Sequence, residues 1–170
     1  MKNHLIFLLT LFPFLHACGV QQTIPPDGSN YTYCSTKFNV CMQYPSSVLP
    51  SPDEGDKDND LLLGLYSEEK DIRLFLSADK NAEGLTFEQM YERQLAQWSG
   101  TYDDVDEDAS NITDDGYELS ARADGYHLFA KSMELNDTGV YVYLRLVGGP
   151  ELNAMVFAEL KDKILLYPNK

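Results

Sequence analysis

Basic residues are scarce in this sequence. Its 170 residues include 13 lysines and arginines against 27 aspartates and glutamates, which gives a formal net charge of −14 at pH 7. Nucleic-acid binding draws its affinity from cations that replace the counterions of the phosphate backbone, so the composition argues against a nucleic-acid partner. The same charge argues against a basic patch that would hold the protein on anionic lipid.

Motifs for catalysis and for metal binding are also missing. After residue 17 the only histidine is His127, and the chain has no Gly-x-Ser-x-Gly motif and no glycine-rich phosphate loop. The acidic run at 53–60 begins like a calcium loop, but Leu61 and Ser67 occupy the positions of the required glycine and bidentate glutamate. We therefore predict a non-enzymatic protein without catalytic residues, metal site or cofactor, and we expect His127 to be a solvent-facing strand residue.

Apolar residues are present in the amount that a folded domain needs. Hydrophobic residues make up 44% of the chain and aromatic residues 12%, which is well above the level typical of disordered chains. The length suits one ordinary domain with a proper core. We predict a single domain over residues 31–170.

The amino-terminal segment has the pattern of a secretory signal. The apolar stretch at 5–15 follows Lys2 and precedes the small residue Ala17. It has about half of the ~20 residues that a helix needs to cross the hydrocarbon core of a membrane. We predict that residues 1–17 are a signal peptide rather than an anchoring helix.

The segment Leu15-His16-Ala17-Cys18 resembles the bacterial lipobox. The resemblance implies a lipoprotein in which the Cys18 thiol receives a diacylglyceryl group, the signal is removed before Cys18, and the new amino terminus is acylated. Two or three acyl chains hold a protein to a bilayer almost permanently. The alternative is an ordinary secretory signal with an incidental cysteine.

The lipobox resemblance also implies a location. We expect a bacterial cell envelope, with the membrane as a partner through the lipid on Cys18. Because Gly19 rather than aspartate follows Cys18, the outer membrane, at its periplasmic face, is favoured if the cell is Gram-negative. Residues 18–30 contain Pro25, Pro26 and Gly28 and are predicted to be a tether that is part polyproline-like and part flexible.

The other two cysteines, Cys34 and Cys41, would then lie in an oxidising compartment where disulfides persist. They flank a predicted hairpin, but direct opposition requires a turn centred on Lys37 and Phe38, and phenylalanine is a poor turn residue. Three alternatives stay open: a structural disulfide, which is favoured, buried free thiols, or a redox-active pair. The last is disfavoured because the spacing is not Cys-x-x-Cys.

Residue periodicity predicts the secondary structure. Apolar–polar alternation, short apolar runs and turn signals predict strands at 38–44, 61–66, 72–76, 117–122, 126–135 and 140–147. Helical spacing predicts a helix at 85–98 with a capping box from Thr86 to Gln89, ended by Gly100. A second helix is predicted to begin at Pro150, with an apolar face made of Leu152, Met155, Val156, Leu160 and Ile164.

The connections between these elements indicate the fold class. Most neighbouring strands are joined by hairpin-length turns, which favours an α+β fold with a mainly antiparallel β-sheet flanked by helices. The segment 101–116 has seven acidic and no basic residues, and is predicted to be a solvated, mobile loop. If it meets the acidic run at 53–60 in space, the two could hold a divalent cation weakly.

The order of elements resembles the PsbP-like superfamily. The resemblance rests on an early strand that ends in Tyr44-Pro45, an acidic loop and hairpin, the capped helix at 86–98, a tyrosine-rich meander, and a carboxy-terminal helix that ends in Tyr167-Pro168. It covers residues 31–168. It implies an α/β/α sandwich and a non-catalytic binding or assembly role, and it carries over no catalytic residues.

One group of side chains is a candidate interaction surface: Tyr126, Tyr141, Tyr143 and Arg145. Interfaces favour this mix of rigid aromatic area and a guanidinium donor. The alternative is that the tyrosines cover the sheet beneath a helix.

These observations together predict a membrane-anchored, non-enzymatic envelope lipoprotein whose domain binds or braces another, unknown envelope protein. Two alternatives are a weak divalent-cation or small-ligand binding module and a hydrolase with an unrecognised site.

Overall fold

A computed structural model describes residues 30–57, 61–135 and 139–169; of Leu61 only the backbone is described. The protein has nine strands and two α-helices in these ranges. The strands are β1 (Asn30–Ser35), β2 (Val40–Pro45), β3 (Leu61–Ser67), β4 (Ile72–Lys80), β5 (Asp106–Thr113), β6 (Gly116–Ala123), β7 (Tyr126–Glu134), β8 (Val140–Gly148) and β9 (Leu165–Pro168). The helices are α1 (Phe87–Ser99) and α2 (Ala154–Lys163).

The strands form two antiparallel sheets. The larger has six strands in the order β3-β4-β8-β7-β6-β5, and the smaller has three in the order β1-β2-β9. The predicted α+β class, mainly antiparallel with flanking helices, is therefore confirmed. Within the described residues, neither helix is long and apolar enough to cross a membrane.

The larger sheet has two covered faces. One, the small-sheet face, packs against the three-stranded sheet and α2 around a core that includes Met42, Leu74, Leu144 and Leu160. The other, the α1 face, packs against α1 through a separate cluster. Since successive strand residues point to opposite faces, Leu144 on β8 belongs to the first face while its neighbours belong to the second.

Helix α1 forms as its sequence predicts. The Thr86 hydroxyl accepts a hydrogen bond from the Gln89 amide at 3.2 Å, and the Gln89 side chain accepts one from the Thr86 amide at 3.0 Å. This is a complete capping box, which satisfies two backbone donors that the first turn leaves free. Gly100 closes the carboxyl end, and Met90 and Trp98 are buried against the sheet.

The tight turn between β6 and β7 is also as predicted. Asp124 and Gly125 both have positive φ angles, 52° and 83°. A type I′ hairpin turn, whose twist matches that of its strands, requires positive φ at both central residues. An Asp-Gly pair tolerates this conformation. Part of the other predicted turn, residues 136–138, lies outside the described residues.

The acidic segment at 101–116 is not a loop throughout, contrary to the prediction. Residues 106–113 form β5, an edge strand whose eight residues are all exposed. It pairs with β6 from Asp106 to Thr113, with an irregularity between Glu107 and Ala109. Because none of its side chains is buried, the strand shows no alternation of apolar and polar residues, and the backbone ladder with β6 holds it instead.

The predicted carboxy-terminal helix is wrong in its limits and in its apolar face. Helix α2 begins after the N-cap Asn153 rather than at Pro150, and it ends at Lys163. Residues 165–168 are strand β9, which pairs with β2. Met155 is 80% exposed and Val156 41% exposed, whereas Phe157, Leu160 and Ile164 are the residues that the core buries.

The two cysteines of the domain form a disulfide. Cys34 on β1 lies directly opposite Cys41 on β2, with 4.1 Å between their Cα atoms. The loop between the strands has four residues, 36–39, and Asn39 rather than Phe38 adopts the left-handed conformation, with φ 53°. The sequence objection to direct opposition therefore does not apply, because asparagine tolerates that conformation well.

Candidate functional site

The three tyrosines predicted as a surface lie close to α1 and to the segment that follows it. The Tyr141 ring packs on Phe87 with 5.4 Å between centroids, and the Tyr126 ring packs on Tyr102 at 5.5 Å. The Tyr143 hydroxyl donates to the Met90 sulfur at 3.7 Å. All three predicted tyrosines are half-buried, so their rings cover the sheet as much as they face solvent.

Arg145 has a different environment from these tyrosines. It projects from the same face of β8, but its guanidinium lies over the ring of Phe75 at 5.8 Å from the centroid. Phe75 is directly opposite Arg145 in the β4–β8 ladder. The structure therefore places Arg145 over β4, at the margin of the packed tyrosines, where it faces the same cavity as Tyr143.

A second arginine lies on the same face. Arg73 on β4 places its guanidinium 5.2 Å from the centroid of the Tyr66 ring on β3, and these two residues are also directly opposite each other. Tyr66 is 47% exposed. We refer to Tyr66, Arg73, Phe75 and Arg145 together as the arginine–aromatic surface.

In the sequence of β4, Arg73 alternates with the apolar residues Ile72 and Leu74, which places it on the polar side of its strand but does not connect it with Arg145. The pairing of β4 with β8 joins them, and these strands are separated by about sixty residues that include α1 and three other strands. The signal available in the sequence was the alternation along each strand, which assigns a face but not a neighbour.

The four arginines of the chain fall into two pairs. Arg93 and Arg122 form salt bridges, with Glu83 at 2.6 Å and with Asp108 at 2.7 Å. Arg73 and Arg145 have no carboxylate partner in the part of the chain that the structure describes; their charged contacts are with aromatic rings. A guanidinium stacked on a ring keeps N–H donors at its edge, which can bind an anion.

A cavity of about 410 Å³ borders the arginine–aromatic surface, between α1 and the strands β4 and β8. Polar groups line it from both sides: Ser77, Asp79, Arg93, Gln94, Gln97, Tyr143 and Arg145. Burial raises the pKa of the Tyr143 hydroxyl above its ordinary value. The hydroxyl therefore stays protonated at neutral pH and can donate a hydrogen bond.

His127 is not the solvent-facing residue that the sequence predicts. Its ring stacks on Phe157 with 5.3 Å between centroids, and Nε2 lies 3.2 Å from the carbonyl oxygen of Leu152. The imidazole is half-buried beside α2. These contacts give His127 a packing role, because α2 and its approach segment lie against it.

The two acidic segments lie at opposite edges of the six-stranded sheet. Asp56 pairs with Gly64 beside β3, the strand at one edge, while 106–113 is β5 at the other. Residues 58–60 lie outside the described ranges. The described residues of the two segments are therefore too far apart to share a cation. Within the described ranges there is also no group of three or more carboxylates, histidines and cysteines that could hold a metal ion.

The acidic side chains of β5 have partners of their own. Glu107 accepts a hydrogen bond from the Tyr91 hydroxyl at 2.5 Å, which lowers the pKa of the Glu107 carboxyl. Asp108 binds the Arg122 guanidinium in a two-point arrangement. Charged side chains on an edge strand also discourage another strand from pairing with it.

The predicted lipidation residue, Cys18, lies outside the described residues, as do the signal segment and nearly all of the tether. No family model matches the chain, and no curated protein matches it at a significant level. The arguments about function therefore rest on the residues themselves.

Proposed function

We propose that this protein is a lipid-anchored lipoprotein of a bacterial envelope whose domain, without enzymatic activity, binds or braces another envelope protein through the arginine–aromatic surface. The observation that carries the proposal is the pair of arginines, Arg73 and Arg145, which stack on aromatic rings and have no carboxylate partner among the described residues. Arginine and aromatic residues are enriched at the energetic centres of protein interfaces.

The anchoring part of the proposal rests on Cys18 and its context. The segment 15–18 resembles a lipobox, and residues 18–30 offer a tether of about a dozen residues before the first strand. A flexible chain of that length spans on the order of 20 Å. The domain would thus stay near the membrane, in a Gram-negative cell the periplasmic face of the outer membrane, while turning to meet a partner.

We also propose that the domain is PsbP-like, which the layers of the fold support. One helix covers one face of a central antiparallel sheet, and α2 lies on the other face. The second, three-stranded sheet beside α2 is an addition to a simple α/β/α sandwich. An accessory, non-catalytic role agrees with the resemblance drawn from the sequence.

Replacement of Cys18 tests the anchor. In cells that express the full chain, Cys18→Ser should release the protein from the membrane fraction and abolish its labelling by radioactive palmitate, because only a thiol can form the thioether. Gln21→Ser, which changes the tether and leaves segment 15–18 intact, is the matched control. Membrane retention of the Cys18→Ser protein would contradict the lipid anchor.

Site-specific crosslinking in intact cells tests the binding surface. Benzoylphenylalanine in place of Tyr66, which is 47% exposed, should give a defined adduct that Arg145→Gln removes. The control position is Ile112, which is 41% exposed but lies on β5 at the other edge of the sheet. Identical adducts from both positions, or none from Tyr66, would contradict the proposed surface.

A small-ligand-binding module is a second candidate, favoured by the cavity beside α1. Its volume falls within the range of small-molecule sites, roughly 300–1,000 Å³, and it combines apolar walls with Arg145 and Tyr143. A panel of small carboxylates should then raise the melting temperature of the wild type and less so that of Arg145→Gln. No rise with any compound would remove this candidate.

A further inference from the structure

We infer that the arginine–aromatic surface takes an extended acidic segment of the partner protein, in which two carboxylates are separated by one residue. This inference rests on the proposed function, since it names the chemistry of the partner at the same surface. It follows from the spacing of the two arginines, from their stacking and from the charge of the rest of the molecule.

The spacing of the arginines fits alternate residues of an extended chain. Arg73 is opposite Val147 on β8, and Arg145 is two residues before Val147, so the two arginines are diagonal neighbours on one face of adjacent strands. Such positions are about 7–8 Å apart in a sheet. Side chains on one side of an extended segment are separated by about 6.6–6.8 Å, twice the rise per residue, which is within about 1 Å of that distance.

Stacking prepares both guanidinium groups for binding. The Phe75 and Tyr66 rings hold them at 5.8 Å and 5.2 Å. A side chain already held in position loses less conformational freedom when it binds. Because arginine presents a planar fork of donors, each can take one carboxylate with two hydrogen bonds.

The rest of the surface restricts where an acidic segment can bind. The net charge of −14 repels it in general. Two of the other cations that could attract it, Arg93 and Arg122, already hold Glu83 and Asp108. Among the described residues, Arg73 and Arg145 are therefore the two guanidinium groups that an acidic partner can bind without displacing a carboxylate.

A second copy of this chain fits the surface less well. The edge strand β5 carries Asp106 and Asp108, which have the required one-residue separation. Asp108, however, is already bound by Arg122 through two nitrogen atoms. Two copies would also bring two strongly negative molecules together, so we assign the acidic segment to a different protein.

Peptide binding to the full chain in detergent micelles tests the inference. The probe is a fluorescein-labelled peptide, Gly-Ser-Asp-Val-Asp-Ser-Gly, measured by fluorescence anisotropy. Wild type should bind it at concentrations below about 1 mM. Arg73→Gln and Arg145→Gln should each weaken binding about tenfold or more, the factor expected for loss of a charge-assisted hydrogen bond. Arg122→Gln, which makes the same change in net charge on the opposite face, should leave binding unchanged.

Two altered peptides test the chemistry and the spacing. Replacement of both aspartates by asparagine should abolish binding, and a peptide with its aspartates adjacent should bind more weakly than the original. Equal binding of the asparagine peptide, equal weakening by Arg122→Gln, or no binding to wild type would overturn the inference. Sedimentation of the wild type alone detects self-association. If the wild type is a dimer that Arg145→Gln dissociates, the surface binds a second copy of this chain and the inference of an acidic partner segment is wrong.

The crosslink at Tyr66 separates this inference from the proposed function. One outcome is an adduct that depends on Arg145 while excess acidic peptide fails to compete with it in permeabilised envelopes. That result would support binding of an envelope partner at this surface and contradict the inference that the partner binds through an acidic segment. If the peptide binds and no adduct forms in cells, the surface has the proposed chemistry but the proposed function fails.

Discussion

The two faces of the six-stranded sheet are built from alternate residues of the same strands, yet they differ in composition and in cover. The small-sheet face presents Leu74, Leu76, Leu144 and Leu146, each 0–1% exposed. The α1 face presents tyrosines, alanines and arginines, and part of it is open. The small-sheet face is therefore apolar and covered, whereas the α1 face combines a buried cluster with polar side chains that stay partly exposed.

The open part of the α1 face follows from the widths of its components. Six strands span about 24 Å across the sheet, since neighbouring strands are about 4.8 Å apart. One helix with its side chains is about 10–12 Å wide. Helix α1 lies over β5, β6 and the tyrosines of β8, so β3 and β4 extend beyond it with Tyr66, Arg73 and Phe75. On the opposite face a whole second sheet and α2 provide the cover.

Truncation of two successive side chains of β8 should show the largest difference in stability between the two faces. Leu144→Ala creates a cavity in the small-sheet face and should lower the free energy of unfolding by about 2–5 kcal/mol. Arg145→Ala, one residue further along on the α1 face, should lower it by less than about 1 kcal/mol, because a partly exposed cation–π contact is weak. Urea unfolding at pH 7 measures both. Similar losses would mean that the two faces contribute equally to stability.

Removal of the disulfide tests the layer that covers the small-sheet face. Cys41 lies between Val40 and Met42, which are both 0% exposed. Replacing Cys34 and Cys41 together by serine should lower the free energy of unfolding by about 2–3 kcal/mol, mainly through the greater freedom of the unfolded chain. Cys18→Ser is the control and should leave the unfolding of the domain unchanged. If the double variant is as stable as wild type, the disulfide adds nothing to this layer.

Alkaline pH tests the buried tyrosines of the α1 face. Burial raises the pKa of Tyr117 above its ordinary value, so the hydroxyl stays protonated in the folded state while the unfolded chain ionises near pH 10. The stability that Tyr117 contributes is thus fully present below pH 10 and is lost as the pH rises through its folded pKa. At pH 11 the loss is on the order of 1 kcal/mol for this residue.

The comparison variant for that experiment is Tyr117→Phe. Its free energy of unfolding should fall less between pH 9 and pH 11 than that of wild type, by a difference on the order of 1 kcal/mol. Tyr44, in the three-stranded sheet, has a pKa that burial raises too, and its contribution persists in both proteins. An equal fall in the two proteins would show that ionisation of Tyr117 does not limit alkaline stability.

Several elements were predictable because their signals are local. The capping box at Thr86, the Asp124-Gly125 turn and the alternation along β4 and β8 each depend on a few neighbouring residues, and each is confirmed. Strand β5 was missed because all its side chains are exposed, and exposed strands lack apolar alternation. The sequence places Met155 and Val156 at helical spacing with Leu160, and only the approach of α2 to the sheet decides that Phe157 points inward instead.

Alternation along each strand already assigns its residues to one face or the other, because this alternation is a property of the extended backbone. It assigned Arg145 to one face of β8 and Arg73 to the polar face of β4. The pairing of β4 with β8, the diagonal placement of Arg73 beside Arg145, and the exposure of Arg73 beyond α1 appear only in the folded structure. Strand neighbours and layer cover depend on packing between residues distant along the chain, and no local pattern encodes them.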